Sequence, residues 1–150
     1  MRVVLDTNVV IAAFRYKRGA SRLWLRAALT GGYTLLATPP VFLEYEAVLK
    51  RSEHLAAAGA TLAQVDAILD ALAAVLEPVE VSFLWRPQLR DPADEMVLEA
   101  AVNGRADWLV TFNLRHLAAA AARFGIHAGR PADILQQCPE IEQCARATLP

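Results

Sequence analysis

The 150-residue sequence is poor in cysteine, in histidine and in surplus charge of either sign, and it has no long apolar run. Cys138 and Cys144 are the only two cysteines. One close pair is too little for a disulfide scaffold, and no His or Cys pattern completes a zinc site around it. His54, His116 and His127 are equally scattered and receive no role. Fifteen basic residues face sixteen acidic ones, a net charge of −1, so the chain is no polycation, and contact with nucleic acid requires a local patch. The longest apolar runs, such as residues 117–122, fall far short of the roughly 20 residues of a spanning helix. Asp6 interrupts the opening apolar stretch too early for a signal peptide, so a soluble protein of the reducing cytoplasm, with no membrane, is expected. Repeats and Gly/Ser linkers are also missing, which leaves one domain.

What is present is a globular composition, with 55% hydrophobic and 21% charged residues, enough for a core without staples. Short β-branched or apolar runs at Arg2–Leu5, 33–37, 79–84, 108–111 and 126–128 read as strands. Between them lie helical spacings at 8–14, 21–29, 39–51, 62–76, 91–104, 114–124 and Pro131–Gln137. The helix over 62–76 is the clearest, with Leu62, Val65, Ile68, Leu69, Leu72 and Leu76 on one stripe. Strands separated by such segments require crossovers. The expectation is an α/β fold, a parallel sheet with helices on both faces, over residues 1–137. Residues 138–150 give no reading and are left as a tail of uncertain order.

In parallel sheets, sites form beyond the carboxyl ends of the strands. Asp6 follows Val3-Val4-Leu5 directly, where an unpaired charge is costly. It either caps the next helix or meets cations, hydrogen bonds or a metal. Asp91-Pro92-Ala93-Asp94 has the spacing of a capping box, which leaves Asp94 free to face the strand ends as well. Glu44 and Glu46 flank the apolar face of one helix on opposite sides, and periodicity does not choose between them. Asn113 follows Thr111 at the end of the 108–111 strand, where an amide satisfies a turn or supplies a neutral oxygen. Arg15, Lys17, Arg18, Arg22 and Arg26 put five cations within twelve residues, with no acid between Asp6 and Glu44. They are either a solvated helix face or a phosphate-binding, RNA-binding surface.

Three blocks in this order, VVLDTNVVIAA, FLEYEAVL and DPADEMVLEAAVNGRADWLVTFNLRHL, resemble a PIN domain from Arg2 to about Leu135. In wording the chain is most similar to bacterial PIN ribonucleases of toxin–antitoxin systems (VapC-like). The resemblance implies that Asp6, Glu44 and Asp94 are catalytic metal ligands, with Asp91 a second candidate beside Asp94. Asn113 stands where many PIN domains carry a fourth aspartate. The implied cofactor is Mg²⁺ or Mn²⁺, and the implied reaction is hydrolysis of RNA phosphodiesters. The implied partners are an RNA substrate, a cognate antitoxin protein and a second copy in a homodimer. Two rival readings stand beside it. A degenerate PIN domain would bind RNA or a protein without cutting. A haloacid-dehalogenase-like phosphatase needs an aspartate two residues after Asp6, where this chain has Asn8.

Overall fold

The computed structural model describes residues 1–82 and 89–147. Its elements in chain order are β1 (Arg2–Leu5), α1 (Thr7–Arg15), α2 (Ala20–Leu29), β2 (Thr34–Ala37), α3 (Pro39–Leu49), α4 (Ser52–Ala58) and α5 (Leu62–Val75). They continue with β3 (Glu77–Pro78), α6 (Pro92–Asn103), β4 (Trp108–Val110), α7 (Leu114–Arg123), β5 (His127–Gly129), α8 (Pro131–Gln137) and α9 (Pro139–Ala147).

The five strands form one parallel sheet in the order β3-β2-β1-β4-β5. Right-handed crossovers explain the layering. The chain moves one way from β1 to β2 to β3 and the other way from β3 back to β4 and β5. Its connections therefore cover opposite faces. α2 packs with α1, α8 and α9, whereas α6 packs with α7 and on β1, β2 and β4. Val3, Val4, Leu35, Leu36, Leu109 and Val110 are buried, as strands covered on both faces must be. Because β2 and β4 flank β1 on opposite sides, the ends of β1 and β4 form the switch point where such sheets open a crevice.

Several boundaries have local causes. Thr38 caps α3, accepting from the Val41 N–H at 3.4 Å, and Pro39 and Pro40 occupy its first turn, where a missing N–H costs nothing. Thr61 and Gln64 close a capping box at the start of α5. At the end of α6, a Cβ on Gly104 would lie 2.8 Å from the Ala100 carbonyl oxygen and 3.0 Å from both Leu36 and Val79, so only glycine lets the chain pass.

The structure departs from the sequence expectations in three places. The strand expected over 79–84 lies earlier, at Glu77–Pro78, with Val79 still donating to the Ala37 carbonyl at 2.9 Å. There Leu36 and Ala37 of β2 pair with Glu77 and Pro78 directly after α5, and Arg2 bonds Glu77 at 2.8 and 3.0 Å. Phe83 and Leu84 of the expected strand lie outside the described residues. The helix expected over 39–51 ends at Leu49, and α4 follows it. The packed unit also extends beyond Gln137, because α9 buries Ile141 and Ala145 and lies against α2. Among the described residues, no single helix is long and apolar enough to cross a membrane.

Candidate active site

Asp6 sits where a ladder becomes a helix. Its N–H completes the sheet by donating to the Val110 carbonyl at 2.9 Å, and its own carbonyl accepts from Val9 at 3.0 Å in the first turn of α1. It occupies the N-cap position of α1, yet its carboxylate makes no capping bond. Instead Asp6 Oδ2 accepts from the Thr111 hydroxyl at 2.6 Å. From below, Tyr45 on α3 donates its phenol proton to the Leu5 carbonyl, fixing the end of β1. Asp6 is 6% exposed, so its charge stands in a largely dry position.

Two more acids face it. Thr7 donates to Glu44 Oε2 at 3.0 Å, so the α3 acid turned toward the strand ends is Glu44. Glu46 points away, 3.8 Å from Lys50, which also binds Asp66 at 2.7 Å. Asp94 is buried in the first turn of α6. Of the expected capping box only half forms. Asp91 accepts from the Ala93 N–H at 2.9 Å, while Asp94 turns toward Asn113, whose Nδ2 lies 3.3 and 3.1 Å from its two oxygens. Asn113 is in turn anchored by its N–H on Thr111 Oγ1 at 2.9 Å. Asp91 is exposed and performs the capping role, beside Asp94 in a shallow pocket with His116.

The electrostatics follow from this burial. Desolvation pushes the Asp6 carboxyl above the ordinary aspartate range. The bonds from Thr111 and from the Thr7 backbone oppose that shift, while the charges of Asp94 and Glu44 add to it. Burial, with Asp6 and Glu44 nearby, likewise raises the Tyr45 phenol. Among the described residues, no lysine or arginine forms an ion pair with Asp6, Glu44 or Asp94. Nor do any three His, Cys, Asp or Glu side chains among them stand close enough together to hold a metal ion as they are placed. Three oxygen-donor acids without a cation suit a hard, hydrated ion such as Mg²⁺, which keeps waters and takes few protein ligands. By donor chemistry, though not by the present spacing of their side chains, these residues suit such an ion.

Most of the basic run gathers elsewhere. Lys17, Arg18, Arg22 and Arg26 line a cavity of about 810 Å³ between α2 and the α8–α9 pair, where Glu142 and Arg146 also line it as an ion pair. Arg15 is separate, its guanidinium carbon 5.7 Å from the centroid of the Tyr16 ring. Arg22 is also structural, donating to the Ala13 carbonyl at 3.2 Å. A neighbouring cavity of about 420 Å³ shares Arg18 and Arg22 and is lined on the carboxylate side by Phe112. The two cavities thus share cations, and the smaller one reaches Phe112, the residue between Thr111 and Asn113.

The PIN domain family model matches residues 2–115, about three quarters of the chain. The chain belongs to the PIN-domain family. No curated protein and no solved structure matches it. PIN domains are typically nucleases that use divalent metal ions, which places this PIN domain in the hydrolase class. Sequence reasoning missed His116, whose Nδ1 lies 3.4 Å from Asp94 Oδ2 and 3.2 Å from Asn113 Nδ2. Its spacing three residues beyond Asn113, on one helical face, was the available signal. Arg130 and Arg146 were also missed, because no local pattern ties them to residues 17–26.

Proposed function

We propose that this PIN domain is a metal-dependent endoribonuclease. The observation that carries the reading is the meeting of Asp6, Glu44 and Asp94 at the β1/β4 switch point with no lysine or arginine among the described residues paired to them. Asp6, Glu44 and Asp94 would hold Mg²⁺ or Mn²⁺, which when bound supplies Lewis-acid polarisation of a phosphodiester and neutralises developing charge. The chain's own contribution is positioning. Thr111 orients Asp6, Thr7 orients Glu44 and Asn113 orients Asp94, so each acid is held by a neutral donor before substrate arrives. Lys17, Arg18 and Arg26 present cations to the phosphates of an RNA strand leading to the site.

The physiological reading, a toxin of a two-gene module held in check by an antitoxin, rests on the motif wording alone. The test is hydrolysis of single-stranded RNA with and without Mn²⁺, leaving 5′-phosphate ends, with Asp6→Asn as the control. Arrest of bacterial growth on expression, relieved by Asp6→Asn, tests the toxin separately. One observation favours the second reading, binding without cleavage: the neutral Asn113 amide already donates to both Asp94 oxygens, in the place of a fourth acid. Wild-type protein that binds RNA but shows no metal-dependent turnover would decide for that reading.

A further inference from the structure

Two large aromatic side chains stand exposed on one side of the carboxylates, Phe112 between Thr111 and Asn113 at 44% and Tyr16 at the far end of α1 at 57%. A lone exposed ring is ordinary. These two line one cavity of about 420 Å³ although 96 positions separate them in the chain. Neither packs against another aromatic ring among the described residues. The cavity walls are held in place independently of the rings. The Trp24 indole donates to the Pro131 carbonyl at 2.9 Å, joining α2 to the start of α8. On the other side, Thr111 and Asn113 pin the backbone on both sides of Phe112. Phe112 therefore presents its ring from a fixed point directly beside Asp6 and Asp94.

The charge in the cavity is one-sided. Arg18, Arg22 and Arg130 line it against a single acid, Asp133. Its volume lies in the roughly 300–1,000 Å³ range of small-ligand clefts, too small for a helix or a folded partner. Aromatic faces with guanidinium groups around them are what an unstacked base and its phosphate require, since every base offers a π-face and stacking needs no particular sequence.

We propose that Tyr16 and Phe112 form a stacking subsite that takes one unstacked base of an RNA strand, next to the bond presented to the carboxylates. This subsite rests on the nuclease reading of the neighbouring acids and adds the position of one nucleotide to it. A base in a duplex is already stacked and cannot enter, so the subsite selects single-stranded segments.

The test is fluorescence anisotropy of a labelled single-stranded oligoribonucleotide in Ca²⁺, together with a set of the same strand carrying one abasic position each. Tyr16→Ala and Phe112→Ala should each weaken binding by about tenfold, while Tyr16→Phe and Phe112→Trp retain it. One abasic position should cost wild type most, and there Phe112→Ala should cost little more, because both changes remove the same contact. Equal affinity of wild type and both alanine variants, with wild-type cleavage intact, overturns the subsite and leaves the nuclease reading standing. A loss that Phe112→Trp does not restore, and that adds fully to every abasic position, also overturns it. Wild-type protein that neither binds nor cleaves the strand sinks both. Tyr16 lies at the exposed end of α1, so Tyr16→Ala carries the test even where Phe112→Ala does not fold.

Discussion

The Thr111 hydroxyl donates to Asp6 Oδ2 at 2.6 Å and so ties the end of β4 to the end of β1. Its oxygen also accepts the Asn113 N–H at 2.9 Å, so one side chain serves two site residues. Thr111→Val keeps the shape and removes both bonds. We expect it to lower stability by about 1–3 kcal/mol, the cost of a buried polar group left unpaired. Thr111→Ser should recover most of it. Urea unfolding in EDTA at neutral pH measures the difference, and a valine variant as stable as wild type would contradict the role.

Asp6 sets a pH dependence whose sign can be worked out. Burial first, then Asp94 and Glu44, raise its folded-state pKa above the unfolded value of about 3.9. The folded chain therefore keeps a proton that the unfolded chain has lost. Stability from this group is full below the unfolded value and falls as pH rises toward the folded one. Asp6→Asn removes the buried charge, so in EDTA it should melt above wild type at pH 7, with the gap closing toward pH 3. Divalent metal should reverse the order. Thermal melts across pH check this, and a gap that does not change with pH would count against it.

Glu44 and Glu46 separate site from surface on one helix. Glu44→Gln should reduce metal-dependent cleavage by at least the roughly 10–100-fold that loss of a supporting residue costs a metal site. Glu46→Gln removes only a solvent-screened pair with Lys50 and should leave turnover unchanged. Steady-state rates of the two variants side by side give the answer, and the opposite pattern would reassign the acid.

Metal binding should appear as stability. At a Mn²⁺ concentration about 100 times the dissociation constant, the native state gains roughly 2.7 kcal/mol. Asn113→Asp sets a carboxylate where Nδ2 now lies 3.1 Å from Asp94 Oδ2. Like charges repel, so this variant should be less stable than wild type in EDTA and gain more from Mn²⁺. Melts of both proteins with EDTA and with millimolar Mn²⁺ decide it. An unaltered metal increment would mean that position 113 does not face the ion.

The basic cavity has its own signature. Each phosphate contact on a single strand contributes a slope of about −0.7 to the fall of log affinity with log salt. Lys17→Ala with Arg26→Ala should therefore shallow the slope by about 1.4. Arg22 is a poor choice for this experiment, since its guanidinium also holds the Ala13 carbonyl. Salt titrations of RNA binding in Ca²⁺ supply the slopes, and identical slopes would move the strand off this surface.

Much of the architecture was legible in short-range pattern. β-branched runs and 3.6-residue spacings located β1, β2, β4 and α1, α2, α5, α6, α7 and α8 to within a residue or two, because period and capping are local properties. Asp6 was legible too, as a charge directly after a buried strand. The two acids of α3 were not separable that way. Both flank the same apolar face, and only the Thr7 hydroxyl, 37 residues earlier in the chain, selects Glu44.

The sequence by itself determined the parallel α/β fold, the three acidic motifs and their order. The tertiary structure alone decided which oxygens face one another, that α9 is packed, and that Tyr16, Phe112 and Arg130 share a wall. The reason is range. Hydrophobic period and turn chemistry act over a few residues, whereas a site at a switch point is built by crossovers that bring positions 6, 44, 94 and 113 to the same edge of the sheet.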